Sequence, residues 1–158
     1  MNFLAINSHK WYLLEMTLII ISNNVFLHHI QVAMEDFFES LSGKISLNSV
    51  PAHNSDCRIW TGNVTSNRLY GLLSYRDPET NTWKKKHVHR LALMVKLRSL
   101  NIPKDLDASH LCHNSLCVNV EHLILEPHSV NNNRQCSKGY GHCIGHGDFP
   151  DCMIKLKL

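Results

Sequence analysis

The sequence is poor in charged residues and has no long apolar run in its most hydrophobic segment. Asp, Glu, Lys and Arg make up 18% of the 158 residues, whereas 44% are hydrophobic, so the chain is not a disordered polyelectrolyte. Within residues 12–30 the longest uninterrupted apolar run, residues 18–21, is too short to span a bilayer. A basic stretch and a cleavage site typical of a secretory signal are also missing. These absences predict an intracellular globular protein without a membrane partner.

Cysteine is absent from the first 56 residues, yet six cysteines occur from Cys57 onward. In a secreted protein they would predict three disulfides, with Asn63–Thr65 (NVT) as a glycosylation acceptor. The cysteines are instead interleaved with histidines at spacings typical of metal ligands, which favours reduced thiolates bound to zinc. An assay of free thiols and zinc distinguishes the two interpretations.

The first 50 residues are predicted to form a helical region, whose role the sequence leaves open. Apolar residues dominate positions 11–30. Val32, Phe37, Phe38 and Leu41 then follow near helical spacing. Gly43 is predicted to end the helix, and residues 48–56 (NSVPAHNSD) to form a polar loop.

A second domain is predicted over residues 51–158, and its pattern changes to short strands. The segments CRIWTG, RLYGLLSYR and TWKKKHVHR within residues 57–90 predict an antiparallel sheet of about three strands, with a turn at DPETN. Residues 89–100 have helical periodicity, and Pro103 follows them. The fold class is therefore α+β, with helical and sheet regions followed by a region rich in Cys and His.

The cysteines and histidines divide into two possible zinc sets. Cys112, Cys117 and His122 have the spacing C-x4-C-x4-H and need a fourth ligand, for which Cys57 is the one cysteine left in the first half. The second set, within residues 136–152, consists of Cys136, Cys143, His146 and Cys152. His142 could replace His146, and the alternative for this region is one disulfide and a loose tail. Structural zinc can contribute on the order of 10 kcal/mol to folding, enough to order a tail rich in Gly and Asn.

His110 is left over from both zinc sets. The segment 108–134 (ASHLCHNSLCVNVEHLILEPHSVNNNR) predicts a strand, a turn held by zinc, a second strand and a helix with Ser129 as its N-cap. His110 on the first strand and Asn131 on the helix are then predicted to face each other across a cleft. A neutral imidazole there can accept a proton from water, and an amide oxygen is a hard ligand suited to Mg²⁺.

The same segment resembles the His-Cys box of homing endonucleases, which are ββα-metal (His-Me finger) nucleases. The matching residues are Ser109, His110, Leu111, Cys112, His113, Asn114, Cys117, Asn119, His122, Leu123 and Asn131. Upstream, the order of Cys57, Tyr70, Gly71, His89 and Arg90 resembles that in these and related HNH-type nucleases.

The resemblance implies a site-specific DNA endonuclease with Mg²⁺ and zinc as cofactors. His110 would be the general base and Asn131 the ligand of one magnesium ion per site, although Asn132 and Asn133 allow a shift of one residue. The resemblance also implies two structural zinc ions, one bound by Cys57, Cys112, Cys117 and His122 and one by Cys136, Cys143, His146 and Cys152. An arginine near the scissile phosphate is expected, and the candidates are Arg76, Lys84 and Arg90.

Double-stranded DNA is the expected partner. The net charge of +3 permits it, and basic residues gather in the predicted strands, where Arg68, Arg76, Lys84 and Lys86 are candidate DNA contacts. The alternative is a solvated sheet edge kept soluble by lysines. Cutting both strands calls for two copies, so the resemblance implies a homodimer in the nucleus or wherever the target DNA lies. A zinc-stabilised DNA-binding module without catalytic activity is the alternative function.

Overall fold

The computed structural model of the chain describes residues 5–67 and 69–154, with side chains from residue 25 onward. The described residues form α1 (Ala5–Leu47), β1 (Ser49–Pro51), β2 (Arg58–Trp60), β3 (Leu72–Arg76), β4 (Trp83–His87), α2 (Val88–Leu97), β5 (Leu106–His110), β6 (Leu123–Pro127) and α3 (His128–Tyr140), with a 3-10 turn, Val120–His122, before β6. The predicted α+β class is confirmed. The described residues divide into two compact units, with the boundary between residues 37 and 38.

Helix α1 continues past the predicted end at Gly43, and that prediction is wrong. Leu41 and Ile45 lie one turn apart and are 2% and 7% exposed, so packing continues on both sides of the glycine. Burying an isoleucine contributes about 1.5–3 kcal/mol, which outweighs the roughly 1 kcal/mol that glycine costs inside a helix. Over the residues described, no helix combines the length and apolar character needed to cross a membrane.

The predicted three-stranded sheet is also wrong, because the strands form three separate antiparallel pairs. β1, within the predicted loop, pairs with β2; β3 pairs with β4, and β5 with β6. The second edge of β2 is occupied by the loop before the 3-10 turn. The backbone N–H of Trp60 donates to the carbonyl of Leu116, and that of Val118 donates to the carbonyl of Arg58. That edge is therefore closed to β3.

The core of residues 38–158 surrounds helix α2, whose residues Val88, Leu91 and Met94 are at most 1% exposed. Gly71, just before β3, packs closely against this core. A Cβ atom at Gly71 would lie 2.5 Å from Cγ1 of Val88 and 2.6 Å from Cδ1 of Trp60. A side chain at this position would therefore displace core residues.

The predicted order of strand, turn, strand and helix is present as β5, the loop 111–122, β6 and α3. β5 and β6 pair in register from Leu106 opposite Pro127 to His110 opposite Leu123. Pro127, rather than the predicted Ser129, is the N-cap of α3. Its φ of −57° and ψ of 147° end the strand, and the helix begins at His128.

Candidate functional site

The first predicted zinc set is assembled in space. The ligand atoms of Cys57, Cys112, Cys117 and His122 all lie within 4.8 Å of one another. Cys57 immediately precedes β2, and the other three belong to the loop and 3-10 turn between β5 and β6. The pairing of β2 with residues 116–118 brings the two segments together. Four such sulfur and nitrogen donors are the set that structural zinc prefers.

The electrostatics of this cluster fit a bound dication. Nδ1 of His122 lies 3.5 Å from Sγ of Cys57 and 3.6 Å from Sγ of Cys117. A hydrogen bond from the Cys112 thiol lowers the pKa of Cys117, whereas donating that bond raises the pKa of Cys112. Burial raises the pKa of Cys57. A zinc ion would supply the positive charge that stabilises the cysteines of this cluster as thiolates.

Three of the four residues predicted for the second zinc set come together. The ligand atoms of Cys143, His146 and Cys152 lie within 4.8 Å of one another, and Nε2 of His146 is 3.1 Å from Sγ of Cys152. The neighbouring His142 is exposed and its Nδ1 contacts the carbonyl of Tyr140. The geometry therefore favours His146 over His142.

Cys136, the fourth predicted ligand, lies outside this cluster and is exposed. The next residue of α3, Ser137, is fully buried, and its Oγ is 3.4 Å from Nε2 of His146. Each helical residue is rotated by about 100° from its neighbour. With Ser137 facing the cluster, Cys136 is turned toward solvent.

Replacing Cys136 with serine is therefore expected to leave the zinc content per chain unchanged. Replacing Cys152, which is buried in the cluster, should remove one zinc ion because two protein ligands do not hold a structural site. Metal analysis of the purified variants measures both. Loss of one zinc ion from the Cys136→Ser variant would show that Cys136 is a ligand after all.

A buried ion pair, which the sequence gives no sign of, connects α3 to the second cluster. Arg134 donates from Nε and Nη2 to the two carboxylate oxygens of Glu126 on β6, each at 2.7 Å. Its Nη1 donates to the carbonyl of Pro150 at 2.9 Å and lies 3.5 Å from Sγ of Cys152. Both partners are at most 1% exposed, so removing either would leave an uncompensated buried charge.

The predicted catalytic pair lines a single cleft. His110 at the end of β5 and Asn131 on α3 both face a cavity of about 580 Å³. Arg90 also lines this cavity, but two of its N–H groups donate to the carbonyls of Pro103 and Leu106. The other arginine candidate, Arg76, lies at the end of β3 and is not among the cavity's lining residues in the described chain, and neither is Lys84.

The orientation of His110 is set by the loop that carries the first cluster. Its Nε2 lies 3.1 Å from the carbonyl oxygen of Cys117. Because a carbonyl oxygen only accepts hydrogen bonds, Nε2 carries the proton and Nδ1 carries the lone pair in the neutral ring. Burial lowers the pKa of His110, which keeps the ring neutral at pH 7. The ring of His89 packs edge-on against the ring of His110, with 4.8 Å between the ring centroids. Burial lowers the pKa of His89 to about 3.

Asn131 is hydrogen bonded to an acidic residue that the sequence did not single out. Its Nδ2 donates to Oδ2 of Asp107 on β5 at 2.8 Å. This hydrogen bond lowers the pKa of the Asp107 carboxyl. Asp107 belongs to no recognisable motif, and its role depends on the packing of α3 beside β5.

The hairpin of β3 and β4 divides the predicted DNA-contact residues between two faces. Lys84 and Lys86 lie opposite Tyr75 and Leu73 in the register, on the face that packs toward the core. Nζ of Lys84 is also paired with Asp77 at 2.6 Å, and burial lowers the pKa of Lys86. The opposite face carries Ser74, Arg76, Trp83 and Lys85, all exposed.

Lys84 and Lys86 therefore share the face of β4 that Tyr75, the core residue of β3, turns inward, although the side chain of Lys84 is still 42% exposed. Lys85 is the exposed lysine of β4 on the outward face. Arg68, the fourth predicted DNA contact, lies outside the described residues.

Comparison with protein families gave one match. The model of a family described as the zinc-binding loop region of homing endonuclease matches residues 56–149, more than half of the chain. Comparisons with curated proteins and with solved structures found no match. The matched range contains the whole first cluster, the segment from His110 to Asn131, and two residues of the second cluster.

Proposed function

The chain belongs to the homing-endonuclease family defined by this zinc-binding loop region, and from that premise we propose that it is a magnesium-dependent DNA endonuclease. The family and the two Cys/His clusters support a nuclease-like zinc module. The reaction proposed is hydrolysis of phosphodiester bonds in duplex DNA at a specific site. The observation that carries the proposal is that His110 and Asn131 line one cavity, with the lone pair of His110 on Nδ1.

In the proposed reaction His110 acts as the general base. Its Nδ1 accepts a proton from a water molecule as the water oxygen attacks the scissile phosphorus and the bond to the 3′ oxygen breaks. The hydrogen bond from Nε2 to the carbonyl of Cys117 holds the ring, so the ring does not need to reorient for this transfer. A magnesium ion on the Asn131 amide oxygen would stabilise the charge that develops on the phosphate and on the leaving 3′ oxygen.

The structural role of zinc is to fix this geometry. The loop that binds the first cluster also supplies the carbonyl that orients His110. Asn131 lies on α3, and Arg134 of the same helix contacts Glu126 on β6 and Cys152 of the second cluster. We propose that one copy cuts one strand, and that a homodimer with twofold symmetry cuts both.

The proposal is tested by incubating the purified full-length chain with a library of random duplex DNA, with and without Mg²⁺, and sequencing the ends. A common sequence at ends that depend on Mg²⁺ is the expected result. Library DNA that binds without any Mg²⁺-dependent cutting would overturn the enzyme proposal and favour a zinc-stabilised DNA-binding module.

We further propose that the outward face of the β3–β4 hairpin contacts DNA. Replacing Lys85 with alanine is expected to weaken duplex binding and to reduce the slope of log affinity against log salt by about 0.9, the value for one phosphate contact. Lys84→Ala is the matched control, because it also removes a lysine charge from β4. The charge of Lys84 is already paired with Asp77. Fluorescence anisotropy at several salt concentrations measures both slopes. A larger loss for Lys84 than for Lys85 would contradict this assignment.

A further inference from the structure

We infer that Asp107 is a positioning residue that fixes which end of the Asn131 amide faces the cleft. This inference rests on the proposed function and assigns a role to a residue that neither the sequence motifs nor the family match single out. It starts from the 2.8 Å hydrogen bond between Nδ2 of Asn131 and Oδ2 of Asp107.

The direction of this hydrogen bond follows from chemistry. A carboxylate is ionised near neutral pH, since its ordinary pKa is about 3.9, and it then only accepts hydrogen bonds. An asparagine amide has one end that donates and one that accepts. Because the NH₂ group of Asn131 is bonded to Asp107, the carbonyl oxygen of the same amide is left to face the cleft. A hard cation requires such an oxygen ligand.

Without such a partner the amide has no fixed orientation. Its terminal torsion is broad and roughly twofold, so the oxygen and the NH₂ group can exchange places. In the exchanged orientation the cleft would receive two N–H donors in place of a ligand oxygen. Groups that orient a metal ligand in this way typically change metal affinity or activity by about 10–100-fold when they are removed.

Asp107 also has a structural contact, and a test must separate the two roles. Its Oδ2 accepts a second hydrogen bond at 2.8 Å, from Nδ1 of His128, the first residue of α3. The side chain of His128 is 73% exposed. Anchoring the first turn of α3 would therefore be shared by both hydrogen bonds, whereas orienting the metal ligand depends on the bond to Asn131 alone.

The matched pair of variants is Asp107→Ala, which removes the carboxylate and both of its hydrogen bonds, and His128→Ala, which removes only the bond from His128. We expect the Mg²⁺ concentration for half-maximal cleavage to rise at least about 10-fold for Asp107→Ala. For His128→Ala it should stay well below that change of about 10-fold, because the hydrogen bond that orients Asn131 is retained. Asp107→Asn should rescue most of the loss, because an amide oxygen can still accept from Asn131. Equal losses in Asp107→Asn and Asp107→Ala would overturn the orienting role and favour an effect of charge.

A second measurement does not depend on activity. In ¹H–¹⁵N spectra of the full chain, the side-chain amide signal of Asn131, identified by its loss in Asn131→Ala, should broaden on titration with paramagnetic Mn²⁺. The Asp107→Ala variant should need a higher Mn²⁺ concentration for the same broadening, and His128→Ala should not.

The two proposals fail separately. If the wild type cuts DNA but Asp107→Ala has an unchanged Mg²⁺ requirement and unchanged broadening, Asp107 has no positioning role and the nuclease proposal stands. If the wild type cuts no duplex while the broadening depends on Asp107, the nuclease proposal fails and the positioning role stands. If neither cleavage nor broadening is seen, both are wrong.

Discussion

Replacing His110 with alanine is expected to lower the rate of DNA cleavage by at least about 100-fold, the lower end of what a positioned general base contributes. The expectation follows from its placement on the cleft and from the hydrogen bond to Cys117, which leaves Nδ1 as the basic nitrogen. The rate is measured as single-turnover nicking of a sequence recovered from the duplex library, at saturating Mg²⁺. Zinc content and DNA affinity should remain at wild-type values.

His110→Ala also removes the hydrogen bond to the Cys117 carbonyl, so a second variant is needed to separate chemistry from loop structure. Glutamine has an amide N–H that can donate to that carbonyl, but it has no basic nitrogen. We expect His110→Gln to be as inactive as His110→Ala while keeping thermal stability closer to that of the wild type. Wild-type cleavage by either variant would mean that another group activates the water.

The first metal cluster could be predicted from the sequence, because spacing identifies three of its ligands and elimination leaves one cysteine for the fourth. Cys112, Cys117 and His122 are local in the chain, and Cys57 was the remaining cysteine in the first half. The structure brings their ligand atoms together. The order of strand, loop, strand and helix in residues 106–140 was equally accessible, since each element is short and bounded by clear local signals.

What the sequence could not predict depends on long-range pairing and on helical phase. The loop around Leu116 pairs with the second edge of β2, so the strands of residues 57–90 do not form one sheet. No local sequence pattern indicates this pairing. Cys136 has suitable ligand spacing, but the rotation of α3 turns Ser137 inward instead. Alternation along β4 places Lys84 and Lys86 on one face and Lys85 on the other, but Tyr75 on the neighbouring strand decides which face turns inward.

Asp107 illustrates a further limit of sequence analysis. Asp107 and Asn131 are 24 positions apart in the chain, and they form a hydrogen bond because α3 packs beside β5. Contacts of this kind are therefore found from a structure.

The largest effect on stability is expected from replacing Cys117 with serine. Cys117 is fully buried, its thiol belongs to the first cluster, and its carbonyl holds His110. A serine hydroxyl does not ionise near neutral pH and is a poor ligand for zinc. A structural zinc ion contributes on the order of 10 kcal/mol, which is comparable with the entire stability of a typical domain, about 5–15 kcal/mol.

We therefore expect Cys117→Ser to bind one zinc ion fewer, to unfold at a much lower temperature and to lose cleavage with it. Each kcal/mol lost lowers the midpoint of thermal unfolding by roughly 2–4 °C for a chain of this size. Metal analysis and thermal unfolding followed by circular dichroism measure the two changes. Cys136→Ser is the control, since it makes the same chemical change at an exposed cysteine outside both clusters. Loss of one zinc ion from Cys117→Ser without any change in thermal stability would contradict a structural role for the first site, and the link between zinc and the orientation of His110 would then be wrong.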